Sequence, residues 1–226
     1  YLIVSDGVFS QTKSIIEKKE SKPNYYGALA IRAQIKAKDV FELKTDNISI
    51  FMSSKAHLVS YPVNQNRDIN LVCILRKNLN EKKSVKQLLG ENFLIKKKNL
   101  SKFFYRDLKS WSIYTSSKPI KPMLKNVFYI GDAFYTFPPT LAQGASQSIE
   151  SAKELYDLLI DGKQNIENIY FEKRLKKTIM INTRSRLNYF FFHFSNPVLK
   201  IFRNQILKHL IKSNSFIKRY LGKIYN

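Results

Sequence analysis

Two features between residues 126 and 159 could do chemistry. One is Asp132, whose carboxylate follows the short apolar run at residues 127–130. The other is Gly144, which precedes a run of residues with helical periodicity. A carboxylate at the end of a strand accepts hydrogen bonds from hydroxyl groups. The first turn of a helix presents free backbone N–H groups and the positive end of the helix dipole. Together they fit a ligand with a hydroxylated chain and an electron-rich ring.

The local sequence predicts the elements that position these residues. Residues 127–130 are β-prone and predict a buried strand that ends at a Gly131-Asp132 turn. Two consecutive prolines, Pro138 and Pro139, force an extended connection. A helix is predicted over residues 145–160, with an apolar face formed by Ile149, Ala152, Leu155 and Leu159. A polyol on Asp132 and a ring at the helix terminus together describe a flavin nucleotide. The alternative is an αβ crossover without a ligand.

This segment resembles the second FAD motif of the flavoprotein aromatic hydroxylases, which are FAD monooxygenases with the para-hydroxybenzoate hydroxylase fold. The salicylate-hydroxylase-like branch is most similar, with the pattern G-D-A-A-H-P-x-x-P-x-x-A-Q-G-A-x-Q-x-I-E-D-A. The spacing from Gly131 to Ala152 is kept without a gap. Phe134, Tyr135 and Ser151 stand where that pattern has Ala, His and Asp. These three differences leave the details of the reaction open, but the resemblance still implies a flavin cofactor.

An earlier segment resembles another motif of this family. The run YLIVSDG at residues 1–7, followed by Ser10 and Lys13, resembles D-G-x-x-S-x-x-R, with Lys13 where Arg is usual. We expect Ser10 to cap a helix over residues 11–19. The resemblance implies that Asp6 lies near the pyrophosphate and ribityl region of FAD. The cofactor-binding residues that it implies are Asp6, Gly7, Gly131, Asp132, Pro139, Gln143, Gly144, Ala145 and Ser146.

The middle of the chain predicts a sheet. Short strands are predicted at residues 26–35, 48–52, 56–63 and 69–76, and a polar hairpin turn at 64–68. This pattern resembles the antiparallel substrate-domain sheet of the family. Side chains 57, 59 and 61 alternate onto one face. His57 and Tyr61 are therefore candidate catalytic residues that hold or deprotonate a phenol. The alternative is an ordinary strand pair with a solvent-facing His57.

The remaining segments complete a mixed α/β fold, the flavoprotein monooxygenase fold. One or two short helices are predicted over residues 82–108, a strand at 111–114 and a long helix at 166–194. Residues 171–174 resemble the family's Y-E-x-x-R segment, and His193 lies in an aromatic run, where a structural role is expected. The resemblance implies FAD-domain segments at 1–22 and 123–162, a substrate domain at 23–122 and a helical region at 163–226.

Composition excludes several classes of protein. A chain of 226 residues with 44% hydrophobic residues is not a disordered tail. Its one cysteine, Cys73, lies in an apolar run and predicts a buried thiol in a reducing compartment. No apolar run approaches the roughly 18 residues that a membrane span needs. These features predict a cytoplasmic protein without a Cys-based metal framework.

The chain is strongly basic, with a formal net charge of +22 from 39 Lys and Arg against 17 Asp and Glu. Lysines scattered along the chain are typical of a compositional bias. The tail differs, because no Asp or Glu follows Glu172, whereas the last 54 residues contain thirteen Lys or Arg. Such a tail could contact anionic lipid at the inner face of a membrane, or nucleic acid, through nonspecific charge attraction.

The resemblance implies an FAD-dependent monooxygenase that hydroxylates a phenolic or benzoate-like substrate with NADH or NADPH and O₂. Within the same superfamily, a ubiquinone-biosynthesis ring hydroxylase or another flavoprotein oxidoreductase is the alternative. From another class, a basic protein that binds membrane surfaces or RNA is the alternative, although no specific nucleic-acid motif is present. We expect no metal. The oligomeric state and the choice of NADH or NADPH stay open.

The Gly-rich G-x-G-x-x-G turn that would hold the ADP pyrophosphate does not occur among the seven glycines. In the family this turn lies in the N-terminal part. The first residues, which are Tyr1 and three apolar residues, read as the middle of a strand. We therefore expect a fragment of a longer protein, which carries the isoalloxazine and substrate half of the enzyme.

Overall fold

The computed structural model describes residues 1–20, 22–39, 46–92, 101–105 and 108–225. The strands are β1 (Leu2–Val4), β2 (Asn24–Lys36), β3 (Ser49–Met52), β4 (Ala56–Val63), β5 (Asp68–Arg76), β6 (Lys109–Thr115) and β7 (Val127–Tyr129). The helices are α1 (Gln11–Ile16), α2 (Val85–Glu91), α3 (Ser101–Tyr105), α4 (Gly131–Phe134), α5 (Gly144–Ile160), α6 (Ile166–Phe192), α7 (Pro197–Leu210) and α8 (Asn214–Tyr225). The mixed α/β class is confirmed.

The chain divides into two compact units. The first unit contains Tyr1–Tyr26, Tyr114–Tyr189 and Leu210–Asn226, and the second contains Gly27–Ile113 and Phe190–His209. The domain boundaries predicted from the sequence, at residues 22, 122 and 162, stay a prediction.

The first unit is built on two parallel strands. β1 pairs with β7, with Leu2 opposite Val127 and Val4 opposite Tyr129. All three residues of β7 are buried, because the strand is covered on both faces. Val127 and Tyr129 pack in one apolar cluster with Val4, whereas Phe128 packs in another with residues of α5 and α6. The carboxyl ends of two parallel strands lie at the same edge, so the residues after Val4 and Tyr129 emerge together.

The second unit is built on an antiparallel sheet with the strand order β3-β4-β5-β2-β6. Its core lies on one face, where Ile31, Leu58, Leu71 and Cys73 pack with residues of α2 and α3. A capping box between Ser84 and Gln87 starts α2. Burial raises the pKa of Cys73 to about 12, so the buried thiol predicted from the sequence is confirmed. The predicted antiparallel sheet is confirmed too.

Several element boundaries differ from the predictions. The Gly131-Asp132 turn is instead the start of the short helix α4. The first helix ends at Ile16 rather than at residue 19. Two residues after its end, Lys18 adopts a positive φ of 49°, which is not helical. The long helix ends at Phe192, and two further helices follow it. Part of the predicted helical region at 82–108, residues 93–100 and 106–107, lies outside the described residues.

The buried face of α5 also differs. Its buried residues are Gln147, Ser151, Leu155 and Leu158. The predicted apolar face is wrong at Ile149, which is 72% exposed, and at Ala152. The first half of this helix packs through polar side chains that bond to the backbone of Gly131 and to Arg174. Apolar periodicity therefore identifies the buried residues only in the second half of α5.

Candidate functional site

The first unit brings the two acidic residues of the sequence motifs to adjacent strand ends. The backbone N–H of Ile130 donates a hydrogen bond to the carbonyl of Val4 at 3.0 Å, which continues the pairing of β1 and β7. Asp6 and Asp132 each lie two residues beyond this point. A polar edge of this kind, at the carboxyl ends of parallel strands, is the usual position of a ligand in open α/β sheets.

Asp6 already has protein partners. The backbone N–H of Thr12 donates to its carboxylate at 3.2 Å. Burial opposes ionisation of Asp6, but hydrogen bonds from Ser10, Thr12 and the backbone outweigh it and lower the pKa of the carboxyl group. Ser10 also caps α1, because its Oγ accepts from the N–H of Lys13 at 3.0 Å, as predicted. Asp6 is therefore an ionised group that fixes the start of α1.

Asp132 has a different environment. It is half-buried, and burial raises the pKa of its carboxyl group. Among the described residues, no group donates a hydrogen bond to this carboxylate. A partly desolvated carboxylate without a donor is unfavourable, and a ligand hydroxyl group would relieve that cost. Asp132 thus lies at the strand edge as an acceptor without a protein donor among the described residues.

The N-terminus of α5 is also open. Gln143 precedes the helix without providing a side-chain cap, and Gly144, Ala145 and Ser146 are exposed. A Cβ atom added to Gly144 would meet nothing within 4 Å. The first turn of a 17-residue helix therefore presents backbone N–H groups and the positive end of its dipole to open space.

Gly131 joins the strand end to α5. It adopts a positive φ of 57°, and a Cβ atom there would lie 2.8 Å from Ser148 Oγ. Its N–H donates to Ser151 Oγ at 3.1 Å, and Ser151 in turn donates to the carbonyl of Ser148 at 2.7 Å. Ser151, which stands where the family pattern has Asp, thus fixes the backbone that carries Asp132.

These contacts predict a large loss of stability for one glycine substitution and little change for another. Gly131→Ala forces a side chain into the left-handed region and against Ser148, so we expect a loss of roughly 2–4 kcal/mol in the free energy of unfolding. Gly144→Ala is the matched control, because it meets open space and should change stability by less than about 1 kcal/mol. Urea unfolding of both variants measures this difference. Equal stabilities would contradict the described close approach.

Lys13 is a site residue to which the sequence assigned no role. Its side chain is 5% exposed, and its Nζ donates to the carbonyl of Ala133 at 2.7 Å. Burial lowers the pKa of Lys13, and the charges of Asp6 and Glu17 oppose that shift. Lys13 therefore ties α1 to α4, the helix that carries Asp132. The signal that could have identified it is its position in the motif where the family has Arg.

Arg174 is another residue to which the sequence assigned no role. It is 2% exposed, and its Nη2 donates to Gln147 Oε1 at 2.8 Å, while its Nη1 donates to Glu154 at 3.2 Å. Gln147 Nε2 lies 3.4 Å from Gln143 Oε1. This chain of contacts anchors the residue before Gly144 to α6. The run Phe-Glu-Lys-Arg at residues 171–174, which resembles a segment of the family, was the signal for it.

The other residues of the motifs are structural in different ways. Phe134 and Tyr135, two departures from the family pattern, are buried in the apolar cluster of the first unit. Pro139 is exposed and begins the 3-10 turn Pro139–Leu141, so the predicted extended connection holds at Pro138 and is wrong at Pro139. Gly7 has a positive φ of 86°, which a residue with a Cβ atom rarely adopts. All nine predicted cofactor-binding residues belong to the first unit.

The two predicted catalytic residues belong to the second unit. His57 is 2% exposed, so the alternative of a solvent-facing histidine is wrong. Its Nδ1 lies 3.2 Å from His193 Nε2, and its ring packs edge-on against Phe192. Burial, and then the charge of His193, lower the pKa of His57 to about 3. Tyr61 is half-buried four residues further along β4, on the same face.

Asn70 lies beside Tyr61 on this face of the sheet. The two residues are directly opposite each other in the pairing of β4 and β5. Asn70 is fully buried, and its Oδ1 accepts from Arg32 Nε at 2.6 Å. Within the described part of the chain its Nδ2 has no hydrogen-bond partner. A donor without a partner among the described residues therefore belongs to the residue directly opposite Tyr61 in the strand pairing.

Within the described ranges, no three His, Cys, Asp or Glu side chains are grouped so that they could hold a metal ion. The polar groups at the strand edge of the first unit are instead the carboxylates of Asp6 and Asp132 and the N-terminus of α5. They suit an organic ligand with hydroxyl groups and an electron-rich end.

No protein-family model matches the chain, and no curated protein sequence matches it. Solved structures do match. Klebsiella pneumoniae HpxO, in complex with FAD and uric acid, has a TM-score of 0.79 at 14% identity over 99% of this chain and 59% of HpxO. A substrate complex of salicylate hydroxylase has a TM-score of 0.75 at 17% identity, over 99% of this chain and 61% of the enzyme.

A third similar structure is 2,6-dihydroxypyridine-3-hydroxylase from Arthrobacter nicotinovorans, with a TM-score of 0.65 at 16% identity. It matches 88% of this chain and 61% of its own length. These likenesses confirm the predicted flavoprotein monooxygenase fold. The chain spans about 60% of the length of the structures that it matches.

Proposed function

We propose that this chain forms the isoalloxazine- and substrate-binding part of an FAD-dependent monooxygenase that hydroxylates a small aromatic compound with NAD(P)H and O₂. The observation that carries the proposal is the half-buried carboxylate of Asp132, which has no donor among the described residues. It lies at a strand edge beside an uncapped helix N-terminus. The fold is that of HpxO complexed with FAD and uric acid, which supports the same type of ligand here.

The residues present fit FAD. Asp132 would accept a hydrogen bond from a hydroxyl group of the ribityl chain. The first turn of α5, at Gly144, Ala145 and Ser146, would face the electron-rich ring, and the open space at Gly144 allows close approach. When bound, FAD supplies electron transfer from NAD(P)H and activation of O₂. The helix dipole would stabilise negative charge that develops on the ring.

Other residues hold these groups in place. Lys13 and Ser151 fix the backbone on either side of Asp132 through Ala133 and Gly131. Preorganised donors and acceptors stabilise a bound ligand and its transition state more than mobile ones, because they need no rearrangement during the reaction. Positioning of this kind is the main task that we assign to the first unit.

We assign recognition of the substrate to the face of the sheet that carries His57, Tyr61 and Asn70. His57 with a pKa of about 3 is neutral at pH 7 and weakly basic, which favours holding a substrate over deprotonating it. The Nδ2 group of Asn70 is a buried donor without a partner among the described residues, opposite Tyr61. A small aromatic compound with a ring oxygen, phenolate or carboxylate group would satisfy this donor.

The test uses the full-length protein. We expect it to retain flavin on purification or to take it up on reconstitution, as visible flavin absorbance shows. In addition, at least one member of a panel of phenolic and benzoate-like acids should stimulate oxidation of NADH or NADPH and gain one oxygen atom. A protein that binds no FAD, and whose NAD(P)H oxidation no aromatic compound stimulates, would contradict the proposal.

A further inference from the structure

Helix α7 leaves most of its apolar side chains exposed to solvent. Five of them are between 46% and 63% exposed, namely Val198, Leu199, Ile201, Phe202 and Ile206. Most surface helices turn such residues towards the core. The five residues, which we call the apolar stripe, are not used by the proposed flavin site or by the substrate face.

The spacing places the apolar stripe on one side of the helix. Val198, Phe202 and Ile206 follow each other at intervals of four residues, and Leu199 and Ile201 flank them. Arg203, in contrast, is buried, with 7% of it exposed. Exposed apolar side chains that lie together, rather than singly, mark a surface that binds another apolar surface.

The helix is firmly attached on its other side. The guanidinium group of Arg203 donates to the carbonyls of Phe191 and Phe192 at 3.2 and 3.3 Å. Asn196 caps the start of the helix, since its Oδ1 accepts from the N–H of Val198 at 2.8 Å. The apolar stripe is therefore presented by a formed and anchored helix.

The charge of this region identifies the type of partner. No Asp or Glu occurs after Glu172, and α7 itself carries Lys200 and Lys208. Lys212 follows two residues after the helix. An apolar helix face in a segment with only positive charge is the composition of helices that lie in the interface of an anionic bilayer. RNA would use the positive charge but not the apolar side chains.

We infer that α7 docks this protein on the surface of an anionic lipid bilayer. The apolar stripe would enter the boundary between headgroups and acyl chains, while the lysines contact lipid phosphates. Of the helices in the described residues, none is long and apolar enough to cross a membrane.

Vesicle flotation of the full-length protein tests this inference. Vesicles contain phosphatidylcholine alone or with phosphatidylglycerol, at low and high salt. We expect binding to the anionic vesicles, and weaker binding at high salt because charge attraction is screened. The double variant Phe202→Ser/Ile206→Ser should bind at least about tenfold more weakly, since two apolar side chains no longer enter the lipid. Thermal unfolding checks that both proteins are folded.

Leu79→Ser is the matched control. Leu79 is an apolar residue of the second unit that is 80% exposed and lies outside α7, so its replacement should leave vesicle binding unchanged. Three outcomes would overturn the inference. The first is equal binding to neutral and anionic vesicles, and the second is unchanged binding of the double variant. The third is a parent protein that forms a dimer and binds no vesicles, together with a double variant that is a monomer.

Discussion

Asp132→Ala should weaken FAD binding by the full-length protein about ten- to a hundredfold. Our reason is that a hydrogen bond to a charged acceptor contributes roughly 1.5–3 kcal/mol. The same substitution should raise the midpoint of thermal unfolding of the flavin-free protein at neutral pH. Burial raises the pKa of Asp132, so ionisation of this group opposes folding once the pH exceeds its usual value. A residue that binds the ligand thus destabilises the empty fold.

Asp157→Ala is the control for this prediction. Asp157 is an exposed residue of α5 that pairs with Lys153 at 2.5 Å. Its replacement also removes one carboxylate from the first unit, but it should change neither FAD affinity nor the unfolding temperature beyond the small effect of a surface ion pair. Flavin fluorescence titration and thermal unfolding provide both readouts. FAD binding by Asp132→Ala that is as tight as in the parent protein would place the cofactor elsewhere.

His57 should make the second unit sensitive to acid. Its pKa is about 3 in the fold, against an ordinary value of 6.5. In the unfolded chain the imidazole of His57 binds a proton more readily than in the fold. The contribution of His57 to the free energy of unfolding is therefore complete above pH 6.5 and is lost as the pH falls towards 3. The loss from this one group is about 4 kcal/mol at the lower end. We expect His57→Gln to flatten the dependence of the free energy of unfolding on pH across this range.

His209→Gln is the matched control, because His209 is exposed on α7. It should leave the slope of stability against pH unchanged. The measurement is urea unfolding at several pH values between 7 and 4, compared as slopes, since His57→Gln also changes stability at neutral pH. A parental slope in His57→Gln would show that the imidazole is not held neutral by burial.

The sequence predicted the elements well where pattern and spacing are local. The strands of the sheet follow from apolar alternation between polar turns, and the capped start of α1 follows from Ser10. The order of strand, proline-rich connection and long helix around Asp132 and Gly144 was predicted too. Each of these depends on interactions between residues that are close in the chain.

The contacts that complete the site could not be predicted, because they join distant parts of the chain. Lys13 bonds to a carbonyl 120 positions away, and His57 meets His193 across 136 positions. Apolar periodicity also fails to identify the buried residues in the first half of α5. Gln147 and Ser151 are buried there, and their side chains accept hydrogen bonds from Arg174 and from the N–H of Gly131. Polar burial of this kind depends on a partner that local patterns do not show.

The central claim is that FAD lies at the strand edge of the first unit, between Asp132 and the start of α5. Hydrogen–deuterium exchange of the full-length protein, with and without FAD, tests it most directly. We predict that FAD slows exchange of the backbone N–H groups at residues 131–133 and 144–147, and leaves α2 unchanged. Slower exchange confined to other segments, or equal exchange in both states despite bound FAD, would contradict the claim.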